Sequence, residues 1–301
     1  MSPAIVVPVS PTGLQLSPIV AGAWRMADWR MDAAQRLRWI EQCMDMGITS
    51  FDHADIYGSY TVESLFGEAL ALQPGLRQRM QIVTKCGIKL VSPQRPGHAI
   101  KSYDTGVGHV IASVDASLRA LRTDHIDLLL IHRPDALMDP GEVAEAFSQL
   151  RAQGKVLHFG VSNHMPSQFN LLHRRLPLET HQIELSPLHL NALSDGTLDQ
   201  CLDLGLRPMV WSPLGGGRLF TGTDAQATRV RAALTELAAA HGVSVATLAY
   251  AWILRHPSQP IPITGSHRPE ALAEALAALS LRLSAEDWYR VWQASTGHEV
   301  P

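Results

Sequence analysis

Positive charge is not in surplus in this chain: 25 Lys and Arg stand against 28 Asp and Glu, a formal net charge of -3. The basic excess that nucleic-acid binding needs is missing, so nucleic acid is not an expected partner. No apolar stretch approaches the roughly 20 residues of a membrane span, and Met1 to Ser10 lack the basic start and long apolar run of a signal peptide. The expected location is the cytoplasm, with no membrane partner. Cysteine is scarce. Cys43, Cys86 and Cys201 are odd in number and widely spaced, a pattern that fits reduced thiols better than a disulfide framework or zinc cluster. Histidine is plentiful, yet no His-x-x-x-His pair or comparable spacing accompanies Asp52-His53 or Asp55, so no metal is expected. A dinucleotide-binding glycine fingerprint is absent too: Gly106-Val107-Gly108 lacks a preceding strand and has Ile111 in the third glycine's place. No Pro- or Ser-rich linker divides the chain, which reads as one domain over residues 1–301.

What is present is a repeat of strand and helix. Ala4 to Val9 and Leu14 to Leu16, around Pro11-Thr12-Gly13, predict an N-terminal hairpin within residues 1–17. Ile19 to Trp24 reads as a strand, and Asp32 caps a helix whose Leu37, Ile40, Cys43 and Met44 recur at helical spacing until Gly47. Further strands are expected at 50–55, 80–85, 126–132, 155–162, 181–185, 207–212 and 259–264. The helices between and after them are expected at 62–72, 106–121, 141–152, 166–174, 195–204, 225–240, 243–255 and 269–279. A terminal helix at 285–294 lies in the tail 281–301. The run Ile126 to Ile131 has the apolar character of a parallel strand covered on both faces. Eight such units over residues 18–280 predict a closed (β/α)8 TIM barrel, an α/β fold carrying an N-terminal β-hairpin and a C-terminal helix.

Candidate chemistry then follows from position. Asp52 and Tyr57 fall where the second strand runs into Gly58, Lys85 ends the third strand and His132 the fourth. Ser162-Asn163, Gln182, Trp211-Ser212 and Gly265-Ser266 mark the later strands. Strand ends of such a barrel converge on one face, where active sites sit. A phenol, with a pKa of about 10, is a poor acid unless a cation and a second donor lie beside it. Lys85 and His132 are the candidates for these two helpers.

Phe51-Asp52 with Tyr57-Gly58, Thr84-Lys85, Leu129-Leu130-Ile131-His132, Gly160-Val161-Ser162-Asn163, Gln182 and the run Trp211 to Gly217 together resemble the aldo-keto reductase superfamily over residues 14 to 280. The Gly58-Ser59-Tyr60 turn and the Trp24 to Trp29 loop resemble a bacterial branch of oxidoreductases. The resemblance implies hydride transfer from NADPH to an aldehyde or ketone, with Tyr57 as general acid. Lys85 is expected to lower the phenol pKa, Asp52 to hold Lys85 charged, and His132 to orient the carbonyl oxygen.

The resemblance further implies that Ser162, Asn163 and Gln182 bond the carboxamide and that Trp211 stacks on the nicotinamide. Ser212, Leu214, Gly216 and Arg218 would pass the pyrophosphate, while Gly265, Ser266, Arg268 and Glu274 would form the adenosine phosphate site. Arg268 suits a 2'-phosphate, although Ala271 and Ala275 depart from the residues frequent in the family. Trp24, Met26, Trp29 and the loop Lys89 to Tyr103 are candidates for the substrate mouth or for surface packing. The expected partner is a small carbonyl compound, and the chain is expected to be a monomer or weak homo-oligomer. Two rival readings are a non-catalytic NADPH-sensing subunit and an aldolase forming a Schiff base on Lys85.

Overall fold

The computed structural model describes residues 6–300. A short antiparallel hairpin pairs β1 (Val7–Pro8) with β2 (Gln15–Leu16), so the predicted hairpin is formed where it is described, while residues 4 and 5 of its first strand lie outside the described residues. Along the chain follow β3 (Val20–Gly22), α1 (Ala33–Asp45), β4 (Ser50–Asp52), α2 (Val62–Leu70), β5 (Gln81–Cys86), β6 (Ile88–Lys89), β7 (Ser102–Tyr103) and α3 (Val107–Leu121). Next come β8 (Ile126–Ile131), α4 (Pro140–Ala152), β9 (Val156–Ser162), α5 (Pro166–His173), β10 (His181–Glu184), α6 (Thr197–Asp203) and β11 (Met209–Trp211). The last elements are α7 (Arg218–Thr221), α8 (Ala225–His241), α9 (Val245–Leu254), β12 (Ile261–Thr264), α10 (Pro269–Ala277) and α11 (Ala285–Thr296). The strand order β10-β11-β12-β3-β4-β5-β8-β9 closes on itself, giving an eight-stranded barrel with helices between its strands. The expected fold class is the observed one.

By compactness the chain divides into residues 1–182 and 183–301. In the first unit, local sequence sets each helix start. Asp32 caps α1 by accepting from the Gln35 N–H at 2.7 Å, and Gln35 Oε1 accepts from the Asp32 N–H at 2.8 Å. Such a reciprocal box satisfies donors that a helix start leaves unpaired. Asp139 caps α4, with Pro140 at its first position. The single charge in β8, Asp127, is kept because its carboxylate accepts from the Ile82 N–H at 2.8 Å and from Arg77 Nη2 at 2.7 Å.

Strands β4, β5, β8 and β9 pair in parallel register, with Asp52 opposite Val83 and Lys85 opposite Leu130. The predicted strand 50–55 is cut to Ser50–Asp52 as a regular element, although the backbone keeps bonding β5 through His53 N to Val83 O and Asp55 N to Lys85 O. The antiparallel pair β6–β7 was not expected, because its strands are too short to show a period. In the second unit, α9 packs on α11 through Trp252 and Trp288. Their rings stack at 5.1 Å and each indole N–H donates to the other's backbone carbonyl at 2.9 Å. Among the described residues no single helix is long and apolar enough to cross a membrane.

Gly67 shows how closely α2 and α3 approach: a Cβ there would overlap the Ala120 carbonyl oxygen and come within 2.8 Å of the Leu121 carbonyl carbon. Helix propensity alone favours alanine over glycine by about 1 kcal/mol. The expected outcome for Gly67→Ala is nonetheless destabilisation by about 1–3 kcal/mol, as for other overpacked sites. Urea denaturation that found the variant more stable than the parent would refute this reading of the helix contact.

Candidate active site

Every side chain of the proposed chemical group belongs to the first unit. Asp52 ends β4, and the chain then turns, with the Tyr57 N–H donating to the Ala54 carbonyl at 3.1 Å. Three successive left-handed residues, Gly58, Ser59 and Tyr60, follow. Two of the three are not glycine, so the turn carries backbone strain. It is held by Thr61 Oγ1 donating to the Gly58 carbonyl at 2.7 Å and by the Leu90 N–H donating to the Tyr60 hydroxyl at 2.8 Å.

This turn brings Tyr57 onto Lys85. Lys85, only 1% exposed, directs its ammonium at Asp52 Oδ1 (2.9 Å), Asp52 Oδ2 (2.8 Å), the His53 carbonyl (2.6 Å) and the Tyr57 hydroxyl (3.1 Å). Gln182 Nε2 donates to Asp52 Oδ1 at 2.8 Å, so this residue supports the carboxylate in addition to any role towards a cofactor. The His132 N–H donates to the Cys86 carbonyl at 2.9 Å, and the imidazole stands edge-on to the Tyr57 ring with centroids 5.9 Å apart. The structure brings Asp52, Tyr57, Lys85 and His132 together, and adds the His53 carbonyl, which no motif reveals.

Burial sets the protonation of the group. Burial would depress the Lys85 ammonium, but the Asp52 carboxylate and Tyr57 raise its pKa on balance. Desolvation pushes the Tyr57 phenol above its usual value, with Lys85 opposing and Asp52 adding to the rise. The expectation that Lys85 brings the phenol down into the working range is therefore corrected: the ammonium pulls in that direction, but loss of hydration is the larger effect. His132 is held well below the usual histidine value by burial, then by the charges of Lys85, Arg133 and Lys101. Its Nδ1 is buried without a hydrogen-bond partner.

Beside this group, Asn163 Nδ2 donates to Ser162 Oγ at 2.9 Å and Arg133 Nη1 to the same oxygen at 3.3 Å. The Asn163 N–H donates to the Gln182 carbonyl at 2.9 Å, so Ser162, Asn163 and Gln182 form one patch of amide and hydroxyl groups. Arg133 is a second residue that sequence reasoning missed, though its place directly after His132 was a usable signal. Of the residues suggested for the mouth or for packing, Met26 is buried in the core, and half-buried Trp29 sits edge-on to Trp39 at 4.9 Å. Trp24 is 58% exposed. The loop between Lys89 and Tyr103 is tied down at both ends by β6–β7.

In the second unit, β11 and β12 are neighbours, with Met209 opposite Ile261, so the loops after Trp211 and Thr264 start side by side. Ser212 and Gly215 to Gly217 all have positive φ, and the Gly215 N–H donates to the Ser212 carbonyl at 2.8 Å. A Cβ at Gly216 or Gly217 would meet nothing within 4 Å, leaving that backbone open to a close approach. Leu214 precedes this run. Arg218 forms a forked pair with Asp224 at 2.7 and 3.0 Å and donates to Gln226 at 3.0 Å, so the charge expected to face a pyrophosphate already has a carboxylate partner. Gly265 and Ser266 follow β12, and Ser266 Oγ accepts from the Arg268 N–H at 3.2 Å. Arg268 is exposed at the start of α10 and forms no salt bridge among the described residues. Glu274 lies on the same helix, its carbonyl accepting from Thr247 Oγ1 at 3.0 Å.

Among the described residues no group of three or more His, Cys, Asp or Glu is placed to hold a metal. Cys43, Cys86 and Cys201 are free and buried; burial pushes the Cys43 and Cys201 thiols up to about 12.

The aldo/keto reductase family model matches residues 18–295. The chain is 50% identical to the oxidoreductase YdhF of Escherichia coli, over 97% of this chain and 98% of that protein. It is 42% identical to a 6-dehydroglucose reductase of Agrobacterium fabrum, over 95% and 97% of the two chains. The solved glycerol dehydrogenase of Gluconobacter oxydans superimposes with a TM-score of 0.85 at 23% identity, over 99% of this chain and 97% of that one, a likeness of fold.

Because burial disfavours its charged form, the His132 ring is expected to stay neutral as pH falls through its usual range. The expected NMR titration shows no inflection for this ring between about pH 8 and 5. A midpoint near the ordinary value would overturn the assignment of a neutral imidazole.

Proposed function

The chain belongs to the aldo/keto reductase family, and from that premise we propose that it reduces an aldehyde or ketone to the alcohol with NADPH, Tyr57 acting as general acid. The observation that carries this reading is the Lys85 ammonium, held on Asp52 and the His53 carbonyl at 3.1 Å from the Tyr57 hydroxyl. When bound, a reduced nicotinamide supplies hydride to the carbonyl carbon. The remaining work falls to the chain's own residues. Tyr57, kept protonated by desolvation, gives its proton to the carbonyl oxygen, and the adjacent ammonium stabilises the tyrosinate left behind. Asp52 holds Lys85 charged, and Gln182 fixes Asp52. A neutral His132 can donate a hydrogen bond to the carbonyl oxygen without competing as an acid.

The donor patch of Ser162, Asn163 and Gln182 suits a carboxamide, which both gives and accepts hydrogen bonds. In the second unit, Trp211 and Ser212 would serve the nicotinamide end, and the open backbone at Gly216, flanked by Leu214 and Arg218, suits a pyrophosphate. Gly265, Ser266, Arg268 and Glu274 would take the adenosine phosphate, with Arg268 on the 2'-phosphate. The relative named as a 6-dehydroglucose reductase supports carbonyl reduction. Against a Schiff-base aldolase stands the raised Lys85 pKa, since a nucleophilic lysine needs a free amine. Retention of the whole chemical group argues against a purely sensing subunit. The proposed enzyme is a single cytoplasmic barrel domain acting on small molecules, as a monomer or weak homo-oligomer.

The deciding assay follows NADPH consumption across aldehydes, diketones and ketosteroids. Tyr57→Phe should lower kcat by about 100-fold or more while leaving NADPH affinity close to the parent value; unchanged turnover would sink the general-acid assignment. Arg268→Ala is expected to weaken NADPH by about tenfold to a hundredfold, with NADH little affected. Equal losses for the two cofactors would remove Arg268 from the 2'-phosphate.

A further inference from the structure

A cavity of about 370 Å³ lies in the first unit, lined by residues of the catalytic turn, α2, α3 and the loop after β6, and by none of Asp52, Tyr57, Lys85 or His132. Acidic and basic side chains both line it. The carboxyls of Asp55 and Glu63 are its acidic members. Asp55 Oδ1 is shut off from solvent without a hydrogen-bond partner. Glu63 is buried and accepts from Thr84 Oγ1 at 2.6 Å. Towards solvent stand Arg95, exposed, and His98 and His109, half-buried. Arg95 lies over the Tyr60 ring at 4.6 Å and donates to the Gln94 carbonyl at 3.1 Å. His98 bonds the Leu90 carbonyl at 2.9 Å and stands edge-on to the Tyr60 ring at 6.2 Å, while His109 lies 3.4 Å from the Ser113 hydroxyl and 3.8 Å from the Asp104 carboxylate.

We propose that this cavity binds a small zwitterion of the amino-acid class, its ammonium on Asp55 and Glu63 and its carboxylate towards Arg95, His98 and His109. An unpaired buried carboxylate oxygen is costly, and a primary ammonium brings three N–H donors to it. Burial, and for Asp55 also the charge of Glu63, raises both carboxyls, Glu63 to about 7. A cation beside the two carboxyls favours their ionised forms, against the burial that opposes them. A metal ion suits the site poorly, because no group of three or more ligating side chains gathers there among the described residues. A cationic amine without an acid group would leave the basic side chains unused, and a simple anion would meet the carboxyls. A molecule with charges of both signs satisfies both sets, within a cavity at the small end of the usual ligand range of about 300–1,000 Å³. Such an occupant would touch Asp55 and Tyr60, on either side of Tyr57 in the same turn.

The test is calorimetric titration of the full chain with glycine, β-alanine, γ-aminobutyrate and ε-aminocaproate, a series that spaces the two charges progressively. n-Butylamine and butyrate serve as half-ligands. At least one amino acid is expected to bind about tenfold or more tightly than either half-ligand. Asp55→Asn should weaken that amino acid by about tenfold or more. Because Asp55 neighbours the catalytic turn, Ala112→Phe provides a second variant: Ala112 is exposed at the cavity wall, so the bulk should block entry without disturbing the fold. Loss of binding in Ala112→Phe, with the parent's thermal midpoint, supports the site. Absence of binding across the whole series, equal binding by a half-ligand, or undiminished binding to Ala112→Phe overturns it. None of these readings depends on the catalytic assignment, since binding is measured without turnover.

Discussion

An ammonium ion stripped of water must be surrounded by oxygen, and that demand at Lys85 organises the first unit. Taking a charged group out of solvent costs several kcal/mol even after relaxation, and the pair survives only where its remaining donors and lone pairs are met. Here Asp52 supplies both carboxylate oxygens, the His53 carbonyl a third contact and the Tyr57 hydroxyl a fourth. The carboxylate is in turn held by Gln182 from β10. Parallel pairing of β4 and β5 places Asp52 and Lys85 on neighbouring strands, where the ion pair forms. Tyr57 is then the piece that the turn must deliver.

That delivery uses strained backbone. Ser59 and Tyr60 adopt left-handed conformations after Gly58, a state that costs non-glycine residues about 1–3 kcal/mol each. The strain is countered locally by Thr61 and from a distance by the β6–β7 hairpin, whose Leu90 N–H reaches the Tyr60 hydroxyl. A Cβ at Gly58 would come within 2.7 Å of Thr61 Oγ1 and 2.9 Å of Val62 Cγ2, so the turn has no room for a larger residue at its start. Tyr57 is thus positioned by a turn locked between the start of α2 and the β6–β7 hairpin.

The barrel was legible in the sequence because its strands are apolar runs and its helices carry explicit caps, Asp32 and Asp139 among them. Lys85 and His132 were legible for a related reason: a charged or polar residue at the end of a buried apolar run has few places to go other than a barrel mouth. Element ends were less legible, and the predicted strand 50–55 shows why. Its backbone hydrogen bonds to β5 do continue to Asp55, but the turn bends them out of regular strand geometry after Asp52. The His53 carbonyl could not be read, since a main-chain acceptor is the same in every residue. The balance at Tyr57 could not be read either, because it depends on how much water the fold removes, and only coordinates show that.

The same desolvation that raises the Tyr57 phenol lowers the His132 imidazole, since in both cases the neutral form is the one that burial favours. One cause therefore leaves two adjacent groups neutral. Lys85 escapes the trend because Asp52 and Tyr57 outweigh its burial, leaving a fixed positive charge beside the phenol, where the proposed reaction would develop negative charge. In the proposed reduction, giving up the phenolic proton to a carbonyl oxygen would create an anion against the ammonium, and that nearby charge offsets part of the cost that burial sets on the tyrosinate.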